Sequence, residues 1–205
     1  MLDGPSLGRR LVIPSFAAAR VFFASASLAR RNMKALLISA NTEKTGIPPL
    51  PLGLACVAAA CRKAGHETLL VNLMFEGDVE SAVRDSLAAF QPDVIGISVR
   101  NIDDQNMARP RFLLPPVREV VASCRALSDA PIILGGAGYS IFPESALRYL
   151  GADMGIRGEG EAVFPALLER LKSGASVEDL PGLYLPGRQP SHTAFAKSLD
   201  ELPLP

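Results

Sequence analysis

Four short segments collect the residue types that hold a ligand. In residues 41–53, the amide of Asn41 and the hydroxyl of Thr42 are followed by Gly46, Pro48, Pro49, Pro51 and Gly53. The prolines stiffen such a segment, and the glycines let backbone come close to a bound molecule. The second segment opens Ser98-Val99-Arg100-Asn101 and runs on through Ile102, Asp103 and Asp104. Ser98, Arg100 and Asn101 offer a hydroxyl, a guanidinium and an amide to a polar ligand edge. The third is Gly135-Gly136-Ala137-Gly138-Tyr139-Ser140. Its glycines strip away side-chain bulk, so a flat or phosphate-bearing group can lie on bare N–H groups. The pattern is GGxG, not the G-x-G-x-x-G of dinucleotide binders, and points only weakly to NAD. The fourth is Arg157-Gly158-Glu159-Gly160-Glu161. Gly158 and Glu159 are candidates for ligand contact. Glu161 suits the first turn of a helix, where negative charge complements the dipole.

These segments need elements to position them, and the chain supplies a regular alternation. Short apolar runs at 35–39, 68–72, 94–98, 132–134 and 154–156 are separated by helix-period patterns at 52–64, 79–90, 114–127, 144–150 and 162–172. Strand–helix alternation predicts βαβ units and a parallel sheet. The runs lack in/out alternation, so both faces of the sheet should be covered by helices. The predicted fold is α/β, a Rossmann-like or flavodoxin-like doubly wound sheet of about five strands in three α/β/α layers. Such sheets bind ligands beyond the carboxyl ends of their strands. All four segments except part of the first follow a predicted strand directly. Leu183-Tyr184-Leu185, between Pro-Gly pairs, reads as a short edge strand, and the polar stretch 189–205 as a linker.

Composition narrows the function. The 205 residues have zero formal net charge, split into +4 over residues 1–33 and −4 over the remainder. A mildly acidic domain without a basic stripe argues against nucleic acid as a partner. Cys56, Cys61 and Cys124 are too few and too scattered for a disulfide framework, which predicts a reducing, cytoplasmic setting. Residues 11–28 are apolar and flanked by Arg9, Arg10, Arg30 and Arg31, but Pro14, Ser15 and Arg20 interrupt them. Residues 1–32 therefore read as a disordered extension or a mis-assigned start, with the domain proper spanning 33–175 and an edge strand plus linker in 176–205.

Taken in order, several segments resemble the amino-terminal domain of cobalamin-dependent radical SAM proteins. They are Met33-Lys34-Ala35-Leu36-Leu37-Ile38, Pro51-Leu52-Gly53-Leu54, Gly65-His66-Glu67, Pro92-Asp93-Val94-Ile95-Gly96-Ile97-Ser98, Pro131-Ile132-Ile133-Leu134-Gly135-Gly136 and Gly158-Glu159-Gly160-Glu161. The resemblance implies cobalamin as cofactor, its nucleotide tail in the α/β domain and its corrin face toward a radical SAM barrel. It implies methyl transfer on a small-molecule or lipid substrate. The stretch Val99-Arg100-Asn101-Ile102-Asp103 is similar to a branch associated with lipid or hopanoid-type modification. Two departures stand out. The Asp-x-His-x-x-Gly loop that supplies a cobalt-ligating histidine in many cobalamin modules reads Asn41-Thr42-Glu43-Lys44-Thr45-Gly46 here. The Cys-x3-Cys-x2-Cys motif for a [4Fe–4S] cluster is absent from the sequence. S-adenosylmethionine and the cluster are therefore expected only through a missing or separate domain, in cis or in trans. The chain reads as a binding fragment with no catalytic residues and no protein ligand to a metal.

Three other readings share this fold class. A flavin- or nucleotide-binding domain predicts tight FMN binding instead of cobalamin. A phospho-acceptor signalling domain needs an Asp at a strand end, where this chain has Ser39, Asn72, Ser98 and Leu134. An assembly domain without a cofactor would have much the same sequence.

Overall fold

The computed structural model describes residues 32–43, 48–104, 106–193, 195, 198, 200 and 202–205. Apart from Asn32, the amino-terminal extension lies outside the described residues. The elements are β1 (Lys34–Ser39), α1 (Leu52–Lys63), β2 (Glu67–Asn72), α2 (Val79–Phe90), β3 (Val94–Ser98), α3 (Leu114–Leu127), β4 (Ile132–Gly135), α4 (Ala137–Ile141), α5 (Pro143–Leu150), β5 (Met154–Ile156), α6 (Gly160–Ser173) and β6 (Leu183–Tyr184). They build one sheet in the order β2-β1-β3-β4-β5-β6. The first five strands run parallel and β6 closes the β5 edge antiparallel. The order reverses between β1 and β3, which is the switch point where flavodoxin-like sheets place ligands.

Because successive strand residues face opposite ways, each strand feeds two cores. Leu36 and Ile38 of β1 pack with α2, α3 and α5 in one. Ala35 and Leu37 pack with α1 and α6 in the other. Burial on both faces explains the unbroken aliphatic runs. Five of the six residues of β1 are buried, whereas the edge strand β2 is half-buried along most of its length.

The predicted edge strand is present as β6. Two short elements escaped prediction. A 3-10 turn at Leu73–Phe75 follows β2, with the Asn72 side chain accepting from Met74 N at 3.3 Å. Helix α4 occupies the glycine-rich segment, because Gly136 turns the chain at φ 99 and Gly138 N–H then bonds Val99 O at 3.0 Å. The segment read as linker is tied back at its start: Gly182 N–H donates to His192 O at 2.8 Å and Gln189 Nε2 to Glu144 Oε2 at 2.7 Å. None of the described helices is long and apolar enough to cross a membrane.

The thiols behave as core groups. Burial pushes Cys61 up to about 12 and Cys124 up to about 11, and raises Cys56 as well. All three are thus protonated near neutrality and poor metal ligands.

His66 lies at the amino edge of the sheet, away from the four loops. Its Nδ1 accepts from Met33 N–H at 3.3 Å, which leaves the ring proton on Nε2, 3.2 Å from Glu169 Oε1. Burial holds the ring below the ordinary histidine pKa, against the pull of Glu169 and with the help of Lys172. The unfolded chain binds the proton more readily, so stability from this site is complete above the ordinary value of 6.5 and falls as pH drops through it. Urea midpoints measured from about pH 7.5 to about pH 5.5 are expected to fall. In His66→Asn the decline should be shallower, and an unchanged decline would remove His66 as its source.

Candidate functional site

The side-chain period of two puts Leu37 and Ser39 of β1, Gly96 and Ser98 of β3, and Ile133 and Gly135 of β4 on the face covered by α1 and α6. At the carboxyl ends the helices do not close on the sheet, and a cleft of about 570 Å³ opens between them. Its apolar depth is formed by Leu37, Gly96, Ile133, Ile156, Val57 and Phe164. Gly96 keeps that depth open: a Cβ there would sit 2.7 Å from Leu37 Cδ2 and 3.1 Å from the Phe164 ring. Its mouth is polar, with the hydroxyls of Ser39, Ser98 and Ser140. A volume between about 300 and 1,000 Å³ with an apolar floor and a few converging polar groups is that of a small-molecule or cofactor pocket.

Helix ends supply more donors. Helix α2, away from the cleft, is capped by Asp78, which accepts from Glu80 N and Ser81 N. Helices α1, α4 and α6 open onto the cleft through Pro51–Gly53, Gly136–Ala137 and Gly160–Glu161, and none has a side-chain cap. Some of their first N–H groups are already used, Leu52 N donating to Leu50 O and Gly138 and Tyr139 N to Val99 O. Those of Gly53, Ala137, Gly160 and Glu161, which border the cleft, suit a ligand's acceptors.

Most of the candidate residues converge here. Asn41, Pro51 and Gly53 border the cleft from the β1–α1 side. Ser98 and Arg100 border it after β3, and Gly135 and Gly136 after β4. Gly158 and Glu159 complete it after β5. Ser140 joins two of these loops, donating to Gly136 O at 2.9 Å and accepting from Gly158 N at 3.0 Å.

Four candidates lie elsewhere and one is outside the described residues. Thr42 and Asn101 face a small neighbouring hollow, with Glu43, Leu113 and Val117, instead of the cleft. Gly138 packs on backbone: a Cβ there would sit 2.9 Å from Arg100 O and Asn101 N. Tyr139 is fully buried in the core on the opposite face of the sheet. Gly46 falls in the segment 44–47, outside the described residues. The segments after β1 and β3 are tied together by an Arg111–Glu43 ion pair. An antiparallel bridge between Asp103 and Phe112 folds the second of them back on itself. Asp104 accepts from Arg111 N and Asn106 N, and these bonds hold its carboxyl below the usual range.

Sequence reasoning missed the depth of the cleft. Ser39 and Gly96 read as strand interior and Val57 and Phe164 as helix interior, while Ser140 belongs to the glycine-rich segment without being singled out there. Gly96 was the available signal, since an isolated glycine within a strand marks close approach by something else. The described histidines do not reach the cleft: His66 is at the other edge, and His192 lies in the tail beside Gly182. Among the described residues, no group of three or more His, Cys, Asp or Glu side chains could hold a metal ion.

A flavodoxin-like sheet with a glycine-floored cleft at its switch point defines a ligand-binding α/β domain. Residues 38–168 match the B12 binding domain. The chain belongs to this family, whose cofactor is cobalamin. It is 30% identical over 146 residues to a tryptophan 2-C-methyltransferase of Streptomyces laurentii, a match covering 70% of this chain and 24% of that protein. It is 30% identical over 155 residues to a hopanoid C-3 methylase of Methylococcus capsulatus, covering 74% and 28%. The radical S-adenosylmethionine methyltransferase TsrM of Kitasatospora setae, solved with cobalamin and a [4Fe–4S] cluster bound, superposes with a TM-score of 0.71 at 28% identity. That likeness covers 75% of this chain and 29% of TsrM. The cobalamin-dependent S-adenosylmethionine radical enzyme OxsB shares the fold, with a TM-score of 0.66 at 19% identity, covering 84% of this chain and 24% of OxsB. The chain thus spans about a quarter of the length of the first relatives it matches.

Proposed function

We propose that this chain is the cobalamin-holding part of a radical SAM methyltransferase system. The observation that carries the reading is the cleft itself, deep, apolar at the bottom and ringed by N–H and hydroxyl donors. An aromatic base fits against Gly96, Val57 and Phe164, and the phosphate and sugar of a nucleotide tail suit the uncapped ends of α1, α4 and α6. Ser39, Ser98 and Ser140 would orient the tail by hydrogen bonds. Asn41, Pro51, Gly53 and Arg100 border the mouth on one side, and Gly135, Gly136, Gly158 and Glu159 on the other. Thr42 and Asn101 would act from the neighbouring hollow, and Gly138 and Tyr139 through the packing of α4; Gly46 belongs to the same proposed set. Bound cobalamin supplies a cobalt centre that carries a methyl group. With no described histidine at the cleft, the chain's part is to bind and orient the cofactor without ligating its metal through a histidine.

The partner is a radical SAM domain carrying S-adenosylmethionine and the [4Fe–4S] cluster, in cis or in trans. Leu50 (80% exposed) and Leu52 stand exposed beside the cleft. Exposed apolar groups next to a cofactor cleft suit a surface that another body covers. The relatives' names span an amino acid and a hopanoid, so a small molecule or a lipid is the substrate class. Three free cysteines support a cytoplasmic site of action.

Titrating the full chain with hydroxocobalamin tests the reading. The expected result is a shift in the visible spectrum and retention of cobalamin at one equivalent after desalting. An unshifted spectrum with no retention would overturn cobalamin binding by this chain, and retention of FMN instead would favour the flavin reading.

A further inference from the structure

Helix α4 belongs to the cleft on one face of the sheet and to the core on the other. Gly136, Ala137 and Ser140 line the cleft, whereas Tyr139 points through to the α3/α5 side, with no exposed surface. Its seat is Gly155 in the middle of β5. A Cβ on Gly155 would overlap the Tyr139 hydroxyl oxygen and Cζ, and would lie 2.9 Å from Cε1. Any other residue at 155 therefore displaces the ring. The Tyr139 hydroxyl is buried and has no hydrogen-bond partner, so the ring is held by shape and not by its oxygen. The seat is tight from above as well. Gly136 abuts Val99 O and Gly138 abuts the Arg100–Asn101 backbone, so α4 cannot rise on one side alone.

We infer that Tyr139 is a positioning residue: seated in the Gly155 notch on the far face of the sheet, it sets the height of the Gly135–Ser140 wall that cobalamin meets. This inference rests on the cobalamin reading of the cleft. Close-packed interiors transmit such displacements because they have no slack to absorb them. The proposal also explains why a buried tyrosine sits in the glycine-rich segment without touching the cleft.

The test uses the full chain, with cobalamin retention and amide hydrogen exchange of residues 135–141 read in parallel. Gly155→Ala should speed exchange in that segment, leave α2 unchanged, and weaken hydroxocobalamin binding by about tenfold or more. Tyr139→Phe should keep binding within about twofold, because the lost hydroxyl has no partner. Adding Tyr139→Leu to Gly155→Ala makes room for the new methyl and should restore slow exchange and binding together. Tyr139→Ala empties the notch from the other side and should reproduce the Gly155→Ala effect if that variant does not fold. The proposal is overturned if Gly155→Ala leaves exchange in 135–141 unchanged, or if the double variant recovers neither readout. If the unaltered chain retains no cobalamin, the cleft reading fails. The exchange data then decide the Tyr139–Gly155 coupling by themselves.

Discussion

Gly136→Ala is expected to destabilise the domain by about 2 kcal/mol or more and to weaken cobalamin binding by about tenfold. Two independent causes act at this residue. Its backbone sits at φ 99, ψ 169, a conformation open essentially to glycine alone. A methyl group there would also stand 2.6 Å from Val99 O and 2.9 Å from Ser98 Oγ. Relief requires the chain to move away from β3, which carries off the N–H groups at the start of α4 and separates Ser140 from its place between Gly136 and Gly158. Urea denaturation measures the first effect and hydroxocobalamin titration the second. Gly151→Ala is the control: that glycine also has positive φ (71), at the C-cap of α5, but a Cβ there meets nothing and the residue is remote from the cleft. It should cost stability without weakening binding, and equal losses of affinity in the two variants would refute a specific role for the Gly136 wall.

Phe164→Ala should cost about 3–5 kcal/mol, the range for deleting a buried aromatic ring. Phe164 is 5% exposed and serves two surfaces at once, packing in the α1/α6 core and forming the back of the cleft against Gly96. Removing the ring both opens a cavity and deepens the site. The variant's thermal midpoint should fall by several degrees, about 2–4 °C for each kcal/mol in a chain of this size. A ligand that binds only the folded form raises the midpoint according to its affinity. Hydroxocobalamin should therefore raise the midpoint of the parent more than that of Phe164→Ala, because the enlarged cleft grips an aromatic base less well. Equal shifts would place the ligand away from Phe164.

The sheet was legible in the sequence for a simple reason. Strands buried on both faces must be aliphatic throughout, so the runs beginning at Ala35 and Val94 announce themselves, and Gly65 and Pro92 punctuate the helices before β2 and β3. The loops were legible too, since the carboxyl-end rule points to Ser98, Gly135 and Gly158 once the strands are placed. What escaped was anything decided by packing between distant segments. Tyr139 stands in a glycine-rich stretch, and its sequence neighbours suggest ligand contact. Only β5, sixteen residues on at Gly155, draws its ring to the far face. Val57 and Phe164 look like ordinary helix interior, and their place in the cleft follows from how α1 and α6 diverge at one end. Thr42 and Asn101 sit next to true cleft residues in the chain, but they turn into a separate hollow.

The strand order has a consequence for how the domain forms as it is made. After β1 and β3 pair, β4, β5 and β6 each join the same growing edge in the order of synthesis. Domains generally fold as units while the chain is made at about 5–20 residues per second. Ser39 and Ser98, which are in register across β1 and β3, are made early. The wall from Gly158 to Phe164 is made about sixty residues after Ser98. The cofactor cleft is thus complete only once α6 has been made and packs beside α1.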